Sequence, residues 1–138
     1  MKVNFRDILE AFEFVSFNSM YEHQAFLNKE VGKIYWHSEY GDDMDELPQD
    51  IDDGNYIAVP HKNELDLGIT LVFDFAYQYL PDDVENIREI FRRKGVYATY
   101  KSLLEKKGML EYWYEFESRA QEKALKEWCE KNSIEVTG

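Results

Sequence analysis

The side chains here best suited to chemistry are three histidines, one cysteine, a basic segment and a long acidic run. His23 and His37 fall on two β-type stretches that pair in the simplest reading, so they could approach each other. Joined by an Asp or Glu, they would offer zinc a nitrogen and oxygen donor set, and metal-assisted hydrolysis would be the chemistry. No His-Glu-x-x-His pattern and no cysteine cluster accompanies them, and His61 stands apart. Surface histidines are the plainer reading, and no metal is assigned.

The acidic run covers about residues 39–55 and holds Glu39, Asp42, Asp43, Asp45, Glu46, Asp50, Asp52 and Asp53, punctuated by Gly41, Pro48 and Gly54. Its end resembles a calcium loop. Gly54 at the sixth loop position would, however, put Gln49 and Ile51 at positions one and three, and the EF-hand spacing fails. A solvated surface loop is expected.

Cys129 falls near the C-terminal end of a helix, where the dipole disfavours a thiolate, so it reads as a structural or surface thiol. There is no Gly-x-Ser-x-Gly elbow and no glycine-rich phosphate loop. With 28 acidic residues some carboxylates must lie close together, so proximity alone carries no signal. No catalytic residue and no cofactor is assigned.

The basic segment offers Arg88, Arg92, Arg93, Lys94, Tyr97 and Lys101 as candidates for a nucleic acid or a phosphorylated ligand. The three arginines have spacings that place them near one helical face, and aromatics interleaved with cations suit single-strand binding. The competing reading is that Arg92, Arg93 and Lys94 complement a helix C-terminus while the tyrosines are core. Residues 88–107 carry 7 basic against 2 acidic side chains, but residues 1–87 carry 5 against 19, and the whole chain has a net charge of −12. That field repels nucleic acid and anionic membranes at long range.

The elements that must position these groups follow from periodicity. Asn4 can cap a helix from Phe5 to about Phe14, with Phe5, Ile8, Leu9 and Phe12 as its stripe. Glu22–Leu27 and Lys33–His37 form a hairpin whose loop ends at Gly32, with Leu27 opposite Ile34, Ala25 opposite Trp36, and Phe26 and Tyr35 on the other face. Tyr56–Val59 reads as a third strand, stopped by Pro60.

Asp66 to Leu80 is apolar on nearly every side and long enough for a buried helix, starting near Asn63 or Asp66. Pro81 and its acids open a further helix closed by Gly95, and Val96–Lys107 makes another, closed by Gly108. The longest helix runs from Met109 to about Lys131. Its stripe is Trp113, Phe116, Ala120, Ala124 and Trp128, and its surface carries Glu–Lys and Glu–Arg pairs four residues apart. A short extended tail at Ile134–Val136 follows. Phe12, Leu27, Trp36, Phe75, Phe91, Tyr100, Trp113, Phe116 and Trp128 are the expected core.

Lys94-Gly95-Val96-Tyr97, Tyr100-Lys101, Trp113-Tyr114-x-Phe116, Glu127-Trp128 and Asn132-Ser133-Ile134 resemble the C-terminal signature of the bacterial Uncharacterised Protein Family 0158. Ile8-Leu9-Glu10-Ala11-Phe12 and Phe26-Leu27-Asn28-x-Glu30-Val31-Gly32 are similar to its N-terminal pattern. The family usually has Thr before the hairpin Gly and Gly before the final Ile, where this chain has Val31 and Ser133. The resemblance implies a bacterial cytoplasmic domain and brings no activity, cofactor or catalytic residue with it.

With strands early and helices late, the chain is expected to be α+β: a small N-terminal helix and a hairpin or three-stranded antiparallel sheet, packed against a C-terminal helical bundle with one long helix, in a single domain of residues 1–138. A lone cysteine, no signal-like start and no apolar stretch near 20 residues point to a reducing, cytoplasmic setting without membrane insertion. The function expected is a small acidic, non-enzymatic protein-interaction or regulatory module. Its partner would be another protein, with homodimerisation open; nucleic-acid or phosphate-ligand binding is the alternative, and a metal-dependent hydrolase the weaker one.

Overall fold

The computed structural model describes residues 2–17, 23–38, 48–52, 54–93 and 97–138. Its elements are β1 (Lys2–Asn4), α1 (Phe5–Ser16), β2 (His23–Asn28), β3 (Ile34–Ser38), β4 (Tyr56–Ala58), α2 (Ile69–Tyr79), α3 (Val84–Phe91), α4 (Tyr97–Lys106), α5 (Leu110–Lys131) and β5 (Glu135–Thr137), with 3-10 turns at Lys62–Leu65 and Pro81–Asp83. The fold is α+β, with a three-stranded antiparallel sheet and a long C-terminal helix. The chain divides into two compact units: residues 1–65 with 122–138, and residues 66–121.

In the first unit, Asn4 keeps an extended backbone as the N-cap of α1, and its side chain accepts a hydrogen bond from the Arg6 N–H (2.9 Å), satisfying one of the open donors of the helix. Ile8, Ala11 and Phe12 form the buried face of that helix. The hairpin has the expected register, with Leu27 opposite Ile34, Ala25 opposite Trp36 and Phe26 opposite Tyr35. Its loop is held by Asn28, whose side chain accepts from the Glu30 and Val31 N–H groups, and by Gly32 at φ 75°. Strand β4 pairs on the other side of β2, giving the order β3-β2-β4.

A second sheet has two strands, beyond the expected three-stranded one. Lys2–Asn4 pairs in parallel with Glu135–Thr137, so the extended tail is a strand and the residues before Asn4 form another. Three residues are too few for a periodicity signal, and only tertiary proximity makes them strands.

In the second unit, α2 starts at Ile69, not at Asn63 or Asp66. Asn63 lies in a 3-10 turn and Asp66 sits at φ 57°, outside helical geometry. Its Leu71, Val72, Phe75 and Ala76 are buried. The stretch after Pro81 is a 3-10 turn followed by α3, and Gly108 (φ 68°) separates α4 from α5. Lys94, Gly95 and Val96, and with them the expected helix stop at Gly95, lie outside the described residues. The same holds for Glu39 to Glu46 and Asp53 of the acidic run.

Around Trp113 seven rings meet mostly edge to face: Tyr97 on Phe91, Phe91 on Tyr100, Tyr100 on Trp113, and Trp113 on Phe75 and Phe116, with Tyr79 against Phe75 and Phe116. Of the expected core, Phe12, Leu27, Phe75, Tyr100 and Trp113 are fully buried, whereas Trp36, Phe91, Phe116 and Trp128 are half-buried. In the C-terminal part of α5 the buried pair is Leu125 and Cys129. These stand four residues apart on one ridge, with Ala124 and Trp128 on its flank, so the buried stripe is displaced by one position from the expected one.

Candidate functional site

The basic segment lies on α3 and α4, and its cations have different surroundings. Arg88 pairs with Glu85, donates to the Tyr77 hydroxyl (3.3 Å) and lies 5.8 Å from the centre of the Phe73 ring. Hydrogen bonding to Glu85, and then its charge, push the guanidinium pKa further up. Arg92 pairs with Glu89, and Lys107 approaches Asp83 at 3.6 Å. Arg93 is exposed, Lys101 stands 5.5 Å from the Tyr114 ring, and Lys94 is outside the described residues.

Tyr97 is half-buried against Phe91, and its phenol is pushed up by burial first and Glu117 second. Tyr100, in the core, is raised by burial, then by Glu117 and Tyr97. The segment is therefore a mixed-charge helical surface in which acids three residues earlier engage Arg88 and Arg92. Read from the sequence, the segment is basic; the pairing of its cations with Glu85 and Glu89 comes from the structure.

The histidine pair is corrected by register. His23 opposes Ser38, and His37 opposes Gln24. Because side chains alternate along a strand, His23 shares the face of Ala25, Leu27 and Trp36, while His37 lies on the opposite face with Phe26 and Tyr35. The sheet lies between them, so they cannot ligate one ion together. His23 instead meets Phe14 and Phe17 edge-on at 4.7 and 5.7 Å, with both ring nitrogens buried and without a hydrogen-bond partner among the described residues. The Nδ1 of His61 accepts from the Asn63 N–H, a local turn contact. Among the described residues no group of three metal-capable side chains converges.

Cys129 is buried, and desolvation pushes its thiol up to about 11, away from nucleophilic use.

Two groups of aromatic side chains reach the solvent. On the second unit, Tyr77 (59% exposed), Tyr112 (57%), Tyr79 (47%) and Tyr114 (45%) stand out from α2 and α5. Tyr112 and Tyr114 flank buried Trp113, each about 100° around the helix from it, and that spacing was the available signal.

On the first unit, α1 covers one sheet face through Phe14, which meets both His23 and Trp36. The other face carries Gln24, Phe26, Tyr35, His37 and Tyr56, all half-exposed. There Tyr35 and Tyr56 meet edge to face at 6.0 Å, the Lys33 ammonium stands 4.5 Å from the Tyr35 ring centre, and Tyr56 donates to Asp50 (3.1 Å). The Tyr56 phenol is raised, by desolvation first and by Asp50 next. Comparison with protein-family models, curated proteins and solved structures finds no match to this chain.

Proposed function

We propose that this chain is a non-enzymatic interaction or regulatory module that binds another protein. The observation that carries the reading is the set of four tyrosines on α2 and α5, each with about half of its surface open to solvent. Tyrosine combines a large apolar body with a hydroxyl and few rotatable bonds, and it is enriched where proteins meet. The nucleic-acid or phosphate reading of residues 88–107 has the cation–aromatic contacts of Arg88 and Lys101 in its favour. It is weaker because carboxylates already engage Arg88, Arg92 and Lys107 and the chain is strongly acidic. On the residues quoted above, the reading also places the chain with the bacterial Uncharacterised Protein Family 0158, in a cytoplasmic setting.

Co-purification with the full chain as bait from a gentle bacterial lysate tests this function. The expected result is a stoichiometric protein partner lost in Tyr77→Ser/Tyr112→Ser. Recovery of no stoichiometric partner, or binding of a single-stranded oligonucleotide that weakens with salt, would overturn it.

A further inference from the structure

We infer that the open face of the three-stranded sheet docks a lysine- and arginine-rich segment of a partner protein; the inference rests on the interaction reading above and assigns it a second surface and a partner chemistry. Three observations on the first unit lead there. The face is aromatic and partly open to solvent: Phe26, Tyr35, His37 and Tyr56 lie on it, each half-buried, while α1 packs on the opposite face. It already holds a cation, since the ammonium of Lys33 stands over the Tyr35 ring at 4.5 Å, the geometry in which a ring quadrupole attracts positive charge. It also has an anionic anchor beside the rings, the Asp50 carboxylate that accepts from the Tyr56 hydroxyl.

Charge complementarity selects among occupants. The first unit carries 18 acidic and 8 basic side chains, a formal −10, whereas the second carries 10 and 8, a formal −2. A second copy of this chain would bring the same excess negative charge to the face, and a nucleic acid would bring more. A basic peptide brings the opposite sign, is steered in by the field, and offers ammonium or guanidinium groups to the Tyr35–Tyr56 pair. Lys33 is an exposed side chain on the hairpin loop and can give way to a partner's cation.

The test is a titration of the isotopically labelled full chain with deca-lysine at low salt, followed by backbone amide shifts. The expected shifts map to Phe26, Tyr35, His37 and Tyr56. Tyr35→Ala should weaken binding about threefold, and Tyr35→Phe should retain it because the ring face remains. Asp50→Asn should weaken binding too, and circular dichroism confirms that each variant is folded. Equal affinity for Tyr35→Ala and wild type, shifts confined to other residues, equal binding of deca-glutamate, or displacement of the peptide by oligo-dT would each overturn the inference. Recovery of a lysate partner insensitive to Tyr35→Ala would overturn it while leaving the interaction reading intact. Face-specific deca-lysine binding with no lysate partner would support the inference and count against that broader reading.

Discussion

The Phe75 ring stands edge-on to the Trp113 indole, with centroids 5.4 Å apart and planes at 74°, and both side chains are essentially fully buried. They join α2 to the N-terminal part of α5 and lie at the middle of the ring cluster of the second unit. Trp113→Ala should cost about 3–5 kcal/mol as a large-to-small change in a close-packed site. The Phe75/Trp113 double-mutant cycle should add a coupling of about 0.5–1.5 kcal/mol. Urea denaturation checks both. A near-wild-type midpoint for Trp113→Ala would mean that the indole lines a pocket and not a core.

Ser133 takes the left-handed conformation (φ 58°) just after α5, while the Ile134 N–H turns back to the Cys129 carbonyl (2.9 Å). A side chain at that φ is strained, and glycine adopts it freely. Ser133→Gly should therefore stabilise the protein, by about 0.5–1 kcal/mol, in thermal or urea unfolding.

The thiol of Cys129 gives a pH dependence with a definite sign. Burial raises it from 9.0 to about 11, so between those values the unfolded chain loses a proton that the folded chain keeps. Stability present below pH 9 should then fall as pH rises toward about 11, by up to roughly 2 kcal/mol. The rise in the Tyr100 phenol acts in the same direction at the alkaline end. Unfolding midpoints at pH 8 and pH 10.5 check this, and Cys129→Ala should flatten part of the slope. The native thiol should also react slowly with an aromatic disulfide reagent at pH 8.

His23 keeps both ring nitrogens buried between Phe14 and Phe17, without hydrogen-bond partners among the described residues. A polar group buried in this way costs stability, and an apolar residue of similar volume removes the cost. His23→Leu should leave the melting temperature unchanged or raise it. A loss above about 1 kcal/mol would show that the imidazole makes a stabilising contact.

Local signals determined much of this protein. The Asn4 cap, the turn at Gly32, the strand register from Leu27 to Ala25, the break at Gly108 and the long α5 each depend on neighbours within a few residues, where capping, φ preference and side-chain period act. The same alternation already separated Phe26 and Tyr35 from the covered face of the sheet.

Tertiary structure decided what depends on distant partners. It paired Lys2–Asn4 with Glu135–Thr137, which no local pattern announces. It buried Leu125 and Cys129 more deeply than Trp128, because depth is set by the opposing surface and not by hydrophobicity alone. It left the tyrosines beside Trp113 exposed, and brought Tyr56 and Lys33 to the Tyr35 ring and Asp50 to the Tyr56 hydroxyl. Periodicity fixes which residues share a face of one element; only the packing of that element against others decides whether the face becomes core or surface.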